Sequence, residues 1–203
     1  MQKTSGVYSI LDSPIAYNFI QFLFAHKKTA KKFSSLLRTN DSTVVYDIGC
    51  GPGSQLEYLE DCEYYGFDIA QEYIDEARQK FAHKPNVTFF CEEFNHDSAS
   101  RLPEADLVIM SAVMHHLSDT NLQSVFSAIR SKLKPGGRFV TLDPTFVENQ
   151  NFISKTLVSS DRGKSVRSPK EYSRLIEEFF SIRNTFLCNV GFRTRKTSSI
   201  SPD

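Results

Sequence analysis

The chain has 203 residues, of which 40% are hydrophobic and 24% charged, values typical of a compact globular domain and not of a disordered or fibrous protein. Lys plus Arg equals Asp plus Glu at 24 each, so the chain has no net positive charge that would attract nucleic acid or anionic lipid. No apolar run reaches the roughly 18 residues that span a bilayer, and the N-terminus lacks a signal-peptide pattern. We therefore expect one cytoplasmic domain over residues 1–203, without a nucleic-acid partner and without membrane insertion.

The N-terminal segment, residues 1–40, is predicted to be helical. Ser13 is a suitable N-cap, Pro14 fits the first helical position, and apolar residues recur at helical spacing as far as Leu37. We interpret this segment as a helical cap on the rest of the domain.

Strands and helices alternate through residues 43–142. Strands are predicted over 43–48, 63–67, 87–91, 105–110 and 138–142, and helices over 54–60, 71–81 and 119–133. Regular alternation of this kind indicates right-handed crossovers and a mostly parallel sheet with helices on both faces. The predicted fold class is therefore α/β, with a Rossmann-like, doubly wound sheet.

The C-terminal part is predicted to complete the domain. Residues 143–167 have no clear period, and because long irregular segments often cover binding sites, we expect a substrate lid there. Residues 168–195 are predicted to form a helix, which begins at the capping box Ser168-Pro169-Lys170-Glu171, and then an antiparallel strand pair. From Lys196 onward we predict a disordered tail.

A glycine-rich loop, Gly49-Cys50-Gly51-Pro52-Gly53, follows the first predicted strand. Glycine permits positive φ and lets a ligand approach the main chain closely, although a turn that only joins a strand to a helix can have the same composition. Asp68 ends the second predicted strand, where a carboxylate can accept hydrogen bonds from a ribose diol. Capping of the next helix is the alternative role of Asp68.

The spacing of these residues discriminates between two cofactors. The dinucleotide pattern G-x-G-x-x-G requires glycine at position 54, where this chain has Ser54. The carboxylate of Asp47 suits a cofactor with a sulfonium and an amino group, and it would repel a pyrophosphate. S-adenosylmethionine is therefore the predicted cofactor, and a nicotinamide-dependent oxidoreductase is the alternative.

These residues resemble the motifs of the class I S-adenosylmethionine-dependent methyltransferases. The resemblance extends from about Val44 to Asp143 and rests on segments 45–53, 65–69, 106–117 and 133–139. It implies that the backbone of the glycine loop holds the methionine part of the cofactor, that Asp68 holds the ribose, and that residues after the third strand hold the adenine. The predicted cofactor-binding residues are Asp47, Gly49, Cys50, Gly51, Gly53, Asp68, Ile69, Glu93, Phe94 and Ser111.

One of these residues departs from the family's pattern. An aspartate commonly follows the third strand in the resembling family, whereas this chain has Glu93 at the matching position. A glutamate can still accept a hydrogen bond from the adenine amino group. The alternative for Glu93 is an exposed loop carboxylate.

A histidine pair is predicted to supply the catalytic chemistry. His115 and His116 follow the fourth strand, at the edge where open α/β sheets bind ligands, and Asp143 ends the neighbouring fifth strand. Methyl transfer depends mainly on positioning, but a hydroxyl acceptor must lose a proton, for which a histidine oriented by a carboxylate is suited. We therefore predict that all three residues are catalytic. A pair that only packs, caps a helix or shapes the pocket is the alternative.

The predicted function is methyl transfer from S-adenosylmethionine to a small molecule, at an oxygen or alternatively at nitrogen or carbon. A module that binds the cofactor without turnover is the competing prediction. Arg162, Lys164 and Arg167, in the predicted lid, either pair with an anionic group of the acceptor or are solvated loop charges. The four cysteines are scattered, so neither a metal site nor a disulfide framework is predicted.

Overall fold

A computed structural model describes residues 33–145, 165–190 and 193–201 of the chain. Most of the predicted helical cap and most of the predicted lid lie outside these residues, whereas the predicted core, residues 43–142, lies within them. Of the helices described, none is long and apolar enough to cross a bilayer.

One seven-stranded sheet organises the described residues. Its strands are β1 (Val44–Ile48), β2 (Glu63–Asp68), β3 (Val87–Cys91), β4 (Ala105–Ser111), β5 (Leu133–Pro144), β6 (Ser181–Val190) and β7 (Arg193–Ser201). They lie side by side in the order β3-β2-β1-β4-β5-β7-β6. The first five strands are parallel, and β7 is antiparallel to both β5 and β6. The predicted doubly wound fold and the predicted C-terminal antiparallel pair are thereby confirmed.

Four helices connect or flank these strands in the described part of the chain. They are α1 (Gln71–Lys80), α2 (His96–Ser100), α3 (Asp119–Lys132) and α4 (Pro169–Glu177). The predicted helix over 54–60 is a single 3-10 turn, Ser54–Tyr58, and helix α2 was not predicted.

Helix α4 begins as the capping box predicts. The Ser168 side chain accepts a hydrogen bond from the Glu171 amide, the Glu171 side chain accepts one from the Ser168 amide, and Pro169 occupies the first turn.

Both faces of the sheet are covered by apolar packing. All five residues of β1 are buried, as a strand in the middle of a parallel sheet requires. On one face, Tyr46 packs in a cluster with residues of α3 and α4, such as Phe126 and Tyr172. On the other face, Val45 packs in a cluster with Ile74 of α1. Helices therefore lie on both faces, and the edge where β1, β2 and β4 end remains for a binding site.

The predicted disordered tail is wrong, because residues 196–201 belong to β7. This strand lies between β5 and β6, with Lys196 opposite Asp143 and Ile200 opposite Phe139. The segment Thr197-Ser198-Ser199 has no apolar alternation and so carries no strand signal in sequence. Pairing on both sides, which satisfies the main-chain N–H and C=O groups, is what makes it a strand.

Candidate active site

The loop after β1 is shaped by three glycines with positive φ. Gly49, Gly51 and Gly53 have φ of 70°, 53° and 78°, values that other residues adopt only at a cost. The amides of Gly49 and Cys50 both donate to the Phe67 carbonyl, at 2.7 and 2.9 Å, which fixes the loop against the end of β2.

The surroundings of the three glycines differ. A Cβ on Gly49 would lie 2.3 Å from a methyl carbon of Val113, and one on Gly53 would lie 2.7 Å from the ring of Phe81. A Cβ on Gly51 would meet no atom within 4 Å in the described structure. Gly49 and Gly53 are therefore required by packing, whereas Gly51 borders open space that a ligand can enter.

Asp68, at the end of β2, is connected directly to this loop. One carboxylate oxygen, Oδ2, accepts from the Gly51 amide at 2.9 Å, and the other accepts from the Ala70 amide at 2.9 Å. Burial raises the pKa of the carboxyl, and these amide hydrogen bonds oppose that rise. Since a carboxylate oxygen can accept more than one hydrogen bond, both oxygens remain able to accept from a ribose diol. The N-cap of α1 is Ala70, so Asp68 does not cap that helix.

Asp47 lies beneath the loop and is completely buried. Its Oδ2 accepts from the hydroxyl of Tyr64 at 2.7 Å, while Oδ1 has no hydrogen-bond donor among the residues that the structure describes. Burial raises the pKa of the Asp47 carboxyl to about 7, and the charge of Asp68 contributes to the rise.

Other buried oxygens without a hydrogen-bond partner in the described residues include Oε1 of Gln55, in the 3-10 turn after the loop, and Oγ of Ser111, at the end of β4. Buried polar atoms usually have partners, so these atoms suit a ligand that carries N–H groups. Ser111 was among the predicted cofactor-binding residues, but Gln55 was not. The only sequence signal for Gln55 is its position two residues after Gly53.

The remaining predicted cofactor residues lie in different environments. Cys50 is buried, and its sulfur packs against Gly66 of β2. Ile69 is partly exposed beside Asp68. Phe94 is buried, with its ring centroid 5.2 Å from that of Phe67. Glu93 is exposed on the loop after β3, and its contact with adenine stays a prediction.

A short turn carries the two predicted catalytic histidines. After β4, Ala112 has φ of 59° and donates its amide hydrogen to the Leu142 carbonyl at 2.7 Å. This kink leads into a 3-10 turn, Met114–His116. We call residues 114–117 the histidine turn. Because Val113 contacts the Gly49 position, the turn lies next to the glycine loop.

His115 and Asp143 form a buried dyad, and their catalytic role stays a prediction. The imidazole Nδ1 lies 2.8 Å from Asp143 Oδ1, which also accepts from the His115 amide at 3.2 Å. The hydroxyl of Thr141 donates to Asp143 Oδ2 at 3.0 Å. Since a carboxylate oxygen accepts, we assign the proton to Nδ1 and the acceptor lone pair to Nε2 of His115. A histidine held in this way can remove a proton and be stabilised as the imidazolium.

His116 occupies a different electrostatic environment. Its ring centroid is 4.0 Å from that of His115, and its side chain is partly buried. Burial, together with the charge of His115, lowers the pKa of His116 to about 3. His116 is therefore neutral near pH 7, and the pair is not two equivalent bases.

Arg167 lies at this site, but in neither of its two predicted roles. It is buried and makes a two-bond contact with Asp119, from Nε at 3.0 Å and from Nη2 at 2.6 Å to Oδ1. The guanidinium is thus paired within the chain, neither solvated nor open to an anionic acceptor, and both predicted roles are wrong. Arg162 and Lys164 lie outside the described residues.

The buried Asp47 carboxyl predicts a pH-dependent stability. Its pKa of about 7 in the folded state exceeds the ordinary value of 3.8, so the native state holds a proton that the unfolded state releases. Stability should therefore fall as pH rises from about 4 to about 7, with a limiting slope of about 1.4 kcal/mol per pH unit, and then level off. Asp47→Asn should reduce this slope in urea unfolding without added cofactor, while Asp68, whose pKa is also raised, retains part of it.

Asp75→Asn is the matched control, since the Asp75 side chain is 63% exposed on α1. It should keep the wild-type slope. Equal slopes in wild type and Asp47→Asn would contradict the assignment of the proton to Asp47.

The fold and the site together define a class of protein. A parallel sheet with a glycine loop after β1 and a carboxylate at the end of β2 is the arrangement of α/β proteins that bind a nucleoside-containing cofactor. A family model described as "Methyltransferase domain" matches residues 46–139, just under half of the chain.

Three comparisons with known proteins agree with this match. The chain is 25% identical over 161 residues to a phosphoethanolamine N-methyltransferase of Plasmodium falciparum, covering 76% of this chain and 57% of that protein. It is 25% identical over 147 residues to the acetylserotonin O-methyltransferase of Gallus gallus, covering 66% of this chain and 41% of that protein. The crystal structure of human N-acetylserotonin methyltransferase in complex with S-adenosylmethionine superposes with a TM-score of 0.61 at 21% identity, covering 90% of this chain and 55% of that one.

These findings confirm the predicted resemblance: residues 46–139 match the methyltransferase-domain model, and the sheet has the fold of the class I S-adenosylmethionine-dependent methyltransferases. At 21% identity, the likeness to the human structure bears on the fold alone. The chain spans 57% and 41% of the lengths of the two curated relatives described above.

Proposed function

We propose that the chain binds S-adenosylmethionine at the glycine loop and transfers its methyl group to a small molecule. The observation that carries this proposal is the hydrogen bond from the Gly51 amide to Asp68 Oδ2, 2.9 Å long. It brings the glycine that borders open space next to the carboxylate suited to a ribose, so one nucleoside-containing ligand can contact both.

Each end of this ligand has complementary groups in the chain. Asp68 would accept hydrogen bonds from the ribose hydroxyls, and Asp47, whose Oδ1 is buried, would accept from the amino group of the methionine part. Gln55 and Ser111 carry further buried oxygens that could contribute near the loop. When bound, S-adenosylmethionine supplies a methyl group on a sulfonium, which is a good leaving group.

The dyad then serves as the base for a hydroxyl acceptor. In the proposed step, Nε2 of His115 takes the proton of the acceptor, while Asp143 holds Nδ1 and stabilises the imidazolium. His115 is completely buried, so the acceptor must enter an enclosed site to reach it. An enclosed site excludes water that would compete with the acceptor.

We propose an oxygen acceptor because of this dyad. The relatives act on different atoms, since one is a phosphoethanolamine N-methyltransferase and another an acetylserotonin O-methyltransferase. A neutral amine attacks without prior loss of a proton, whereas a hydroxyl gains from a base such as His115. The dyad therefore favours a hydroxyl compound, with an amine as the second candidate.

The arrangement of the whole chain is also a proposal. We propose a single cytoplasmic domain in which the helical cap and the lid border the acceptor. Phe33 and Leu37 are buried in the cluster on the face of the sheet that carries Val45, and residues of α4 pack on the opposite face. Both ends of the described chain thus pack on one sheet, which supports a single domain. Cys50 and Cys62 are free thiols, as is usual for a reducing compartment.

Titration calorimetry with S-adenosylmethionine, and separately with NAD, tests the cofactor. We expect binding of S-adenosylmethionine, weakened about tenfold or more by Asp68→Ala because hydrogen bonds to a charged group are lost. Asp75→Ala, which removes an exposed carboxylate of α1, is the matched control and should bind as wild type does.

Formation of S-adenosylhomocysteine with panels of phenols, alcohols and amines tests the transfer. Preferential binding of NAD would indicate an oxidoreductase instead. Binding of S-adenosylmethionine without turnover on any acceptor would indicate a cofactor-binding module.

A further inference from the structure

We propose that Arg167 is a positioning residue that holds the histidine turn, and with it the imidazole of His115, in the orientation that the dyad requires. Arg167 acts through His115 and does not itself contact the acceptor. This inference rests on the proposed function of the dyad, but the geometry that carries it is independent of the acceptor.

Arg167 binds both ends of the histidine turn. Its Nη1 donates to the Met114 carbonyl at 3.0 Å, and its Nη2 donates to the Leu117 carbonyl at 2.8 Å. These carbonyls flank His115 and His116, so the guanidinium spans the turn that carries both rings. Its side chain is 8% exposed, which removes competition from water.

Every N–H group of the guanidinium is used. In addition to the two carbonyls of the turn, Nη1 donates to the Ser165 carbonyl at 2.9 Å, and Nε and Nη2 donate to Asp119. Five donors in a fixed plane thus meet five acceptor contacts. A lysine has three donors on one nitrogen and cannot reproduce this pattern.

A second contact connects the same segment to His115 itself. The Ser165 amide donates to the His115 carbonyl at 3.1 Å. The hydroxyl of Thr145, which follows β5, donates to the Arg167 carbonyl at 2.9 Å. Residues 165–167 are therefore attached both to the strand that carries Asp143 and to the turn that carries His115.

The histidine turn is therefore bound both by Asp143 and by residues 165–167. Asp143 binds the imidazole and the amide of His115, whereas Arg167 and Ser165 bind the carbonyls of the turn. The guanidinium also lies 5.7 Å from the ring centroid of Tyr172 on α4, a favourable cation–π contact. Without the guanidinium, the carbonyls of Met114 and Leu117 lose buried donors, and the turn is expected to reorient toward other partners.

The test compares Arg167→Lys with Arg174→Lys. Arg174 approaches the same Asp119 carboxylate, at 3.9 Å, but its side chain is 69% exposed, and it therefore makes a matched control. The measurements are kcat and KM with a hydroxyl acceptor, and the ¹⁵N and ¹H resonances of His115 in protein labelled at histidine. We expect Arg167→Lys to lower kcat by about 10- to 100-fold, because small misplacements of reacting groups have effects of this size.

In the same variant the KM for S-adenosylmethionine should stay within about twofold, and the Nδ1 proton of His115 should shift or exchange faster, since its bond to Asp143 is perturbed. Arg174→Lys should leave all of these unchanged. If Arg167→Lys does not fold, Asp119→Ala keeps the arginine but removes its carboxylate, and it should shift the same resonance in the same direction.

Wild-type His115 resonances and wild-type kcat in a folded Arg167→Lys variant would overturn the inference. Failure of the proposed function is a separate result: it would appear as unchanged turnover in His115→Gln. The resonances of His115 report on Arg167 whether or not His115 is the base.

Discussion

Replacement of His115 by glutamine is expected to lower kcat for a hydroxyl acceptor by about 10²-fold or more, with affinity for S-adenosylmethionine within about twofold of wild type. The reason is that the imidazole, held at 2.8 Å from Asp143, is the group placed to take the acceptor proton. Glutamine is preferable to alanine because His115 is completely buried, and a large cavity would destabilise the fold. Steady-state kinetics and calorimetry measure the two quantities.

Two further variants define the role of the dyad. Asp143→Asn should also lower kcat, because an amide in place of the carboxylate no longer fixes the proton on Nδ1 of His115. His116→Gln should have a smaller effect, since a pKa of about 3 makes His116 a weak base. If turnover stays within about threefold of wild type in His115→Gln and Asp143→Asn, a general-base role is excluded, because such roles contribute about 10² or more.

A large effect on cofactor binding is expected at Gly51. Gly51→Ala should weaken binding of S-adenosylmethionine severely, because its Cβ would project into the open space beside the loop. The loss of stability should be only about 1–2 kcal/mol, the cost of a positive φ for alanine. Calorimetry measures the affinity, and thermal unfolding measures the stability.

Gly53→Ala is the matched comparison within the same loop. It has the same strain from positive φ, but its Cβ would also lie 2.7 Å from the ring of Phe81 and 3.3 Å from that of Phe89. Gly53→Ala should therefore unfold at a lower temperature than Gly51→Ala, since overpacking adds about 1–3 kcal/mol. Wild-type affinity in Gly51→Ala would show that the ligand does not lie on this side of the loop.

The sequence was sufficient to predict the central sheet because its signals are local. Buried runs such as Val44–Ile48, which alternate along the chain with turns and helical segments, fix both the strands and the parallel crossovers. Once the strands are parallel, their ends meet at one edge, and this is why Asp68, His115 and Asp143 could be placed at that edge from the sequence.

Other features of the fold and the site could not be predicted, mainly because they depend on contacts between residues far apart in the chain. Gly51 and Gly53 are alike in sequence, and the positions of Phe81 and Phe89 distinguish the packing glycine from the one that borders open space. Arg167 was predicted either to pair with an anionic acceptor or to be a solvated loop charge, because its acceptors at Met114 and Leu117 are about fifty residues away and could not be read from the sequence. Helix α2 is only five residues long, too short to show a helical period, and its one local signal is the Asn95 cap.

The position of β7 has a consequence for how the domain forms during synthesis. This strand follows the other six described strands in the chain, yet it lies between β5 and β6 instead of at an edge of the sheet. Until residues 193–201 have left the ribosome, β5 has an unpaired side, which is a template for pairing with other chains. The nascent domain is therefore expected to expose this side of β5 until β7 pairs with it.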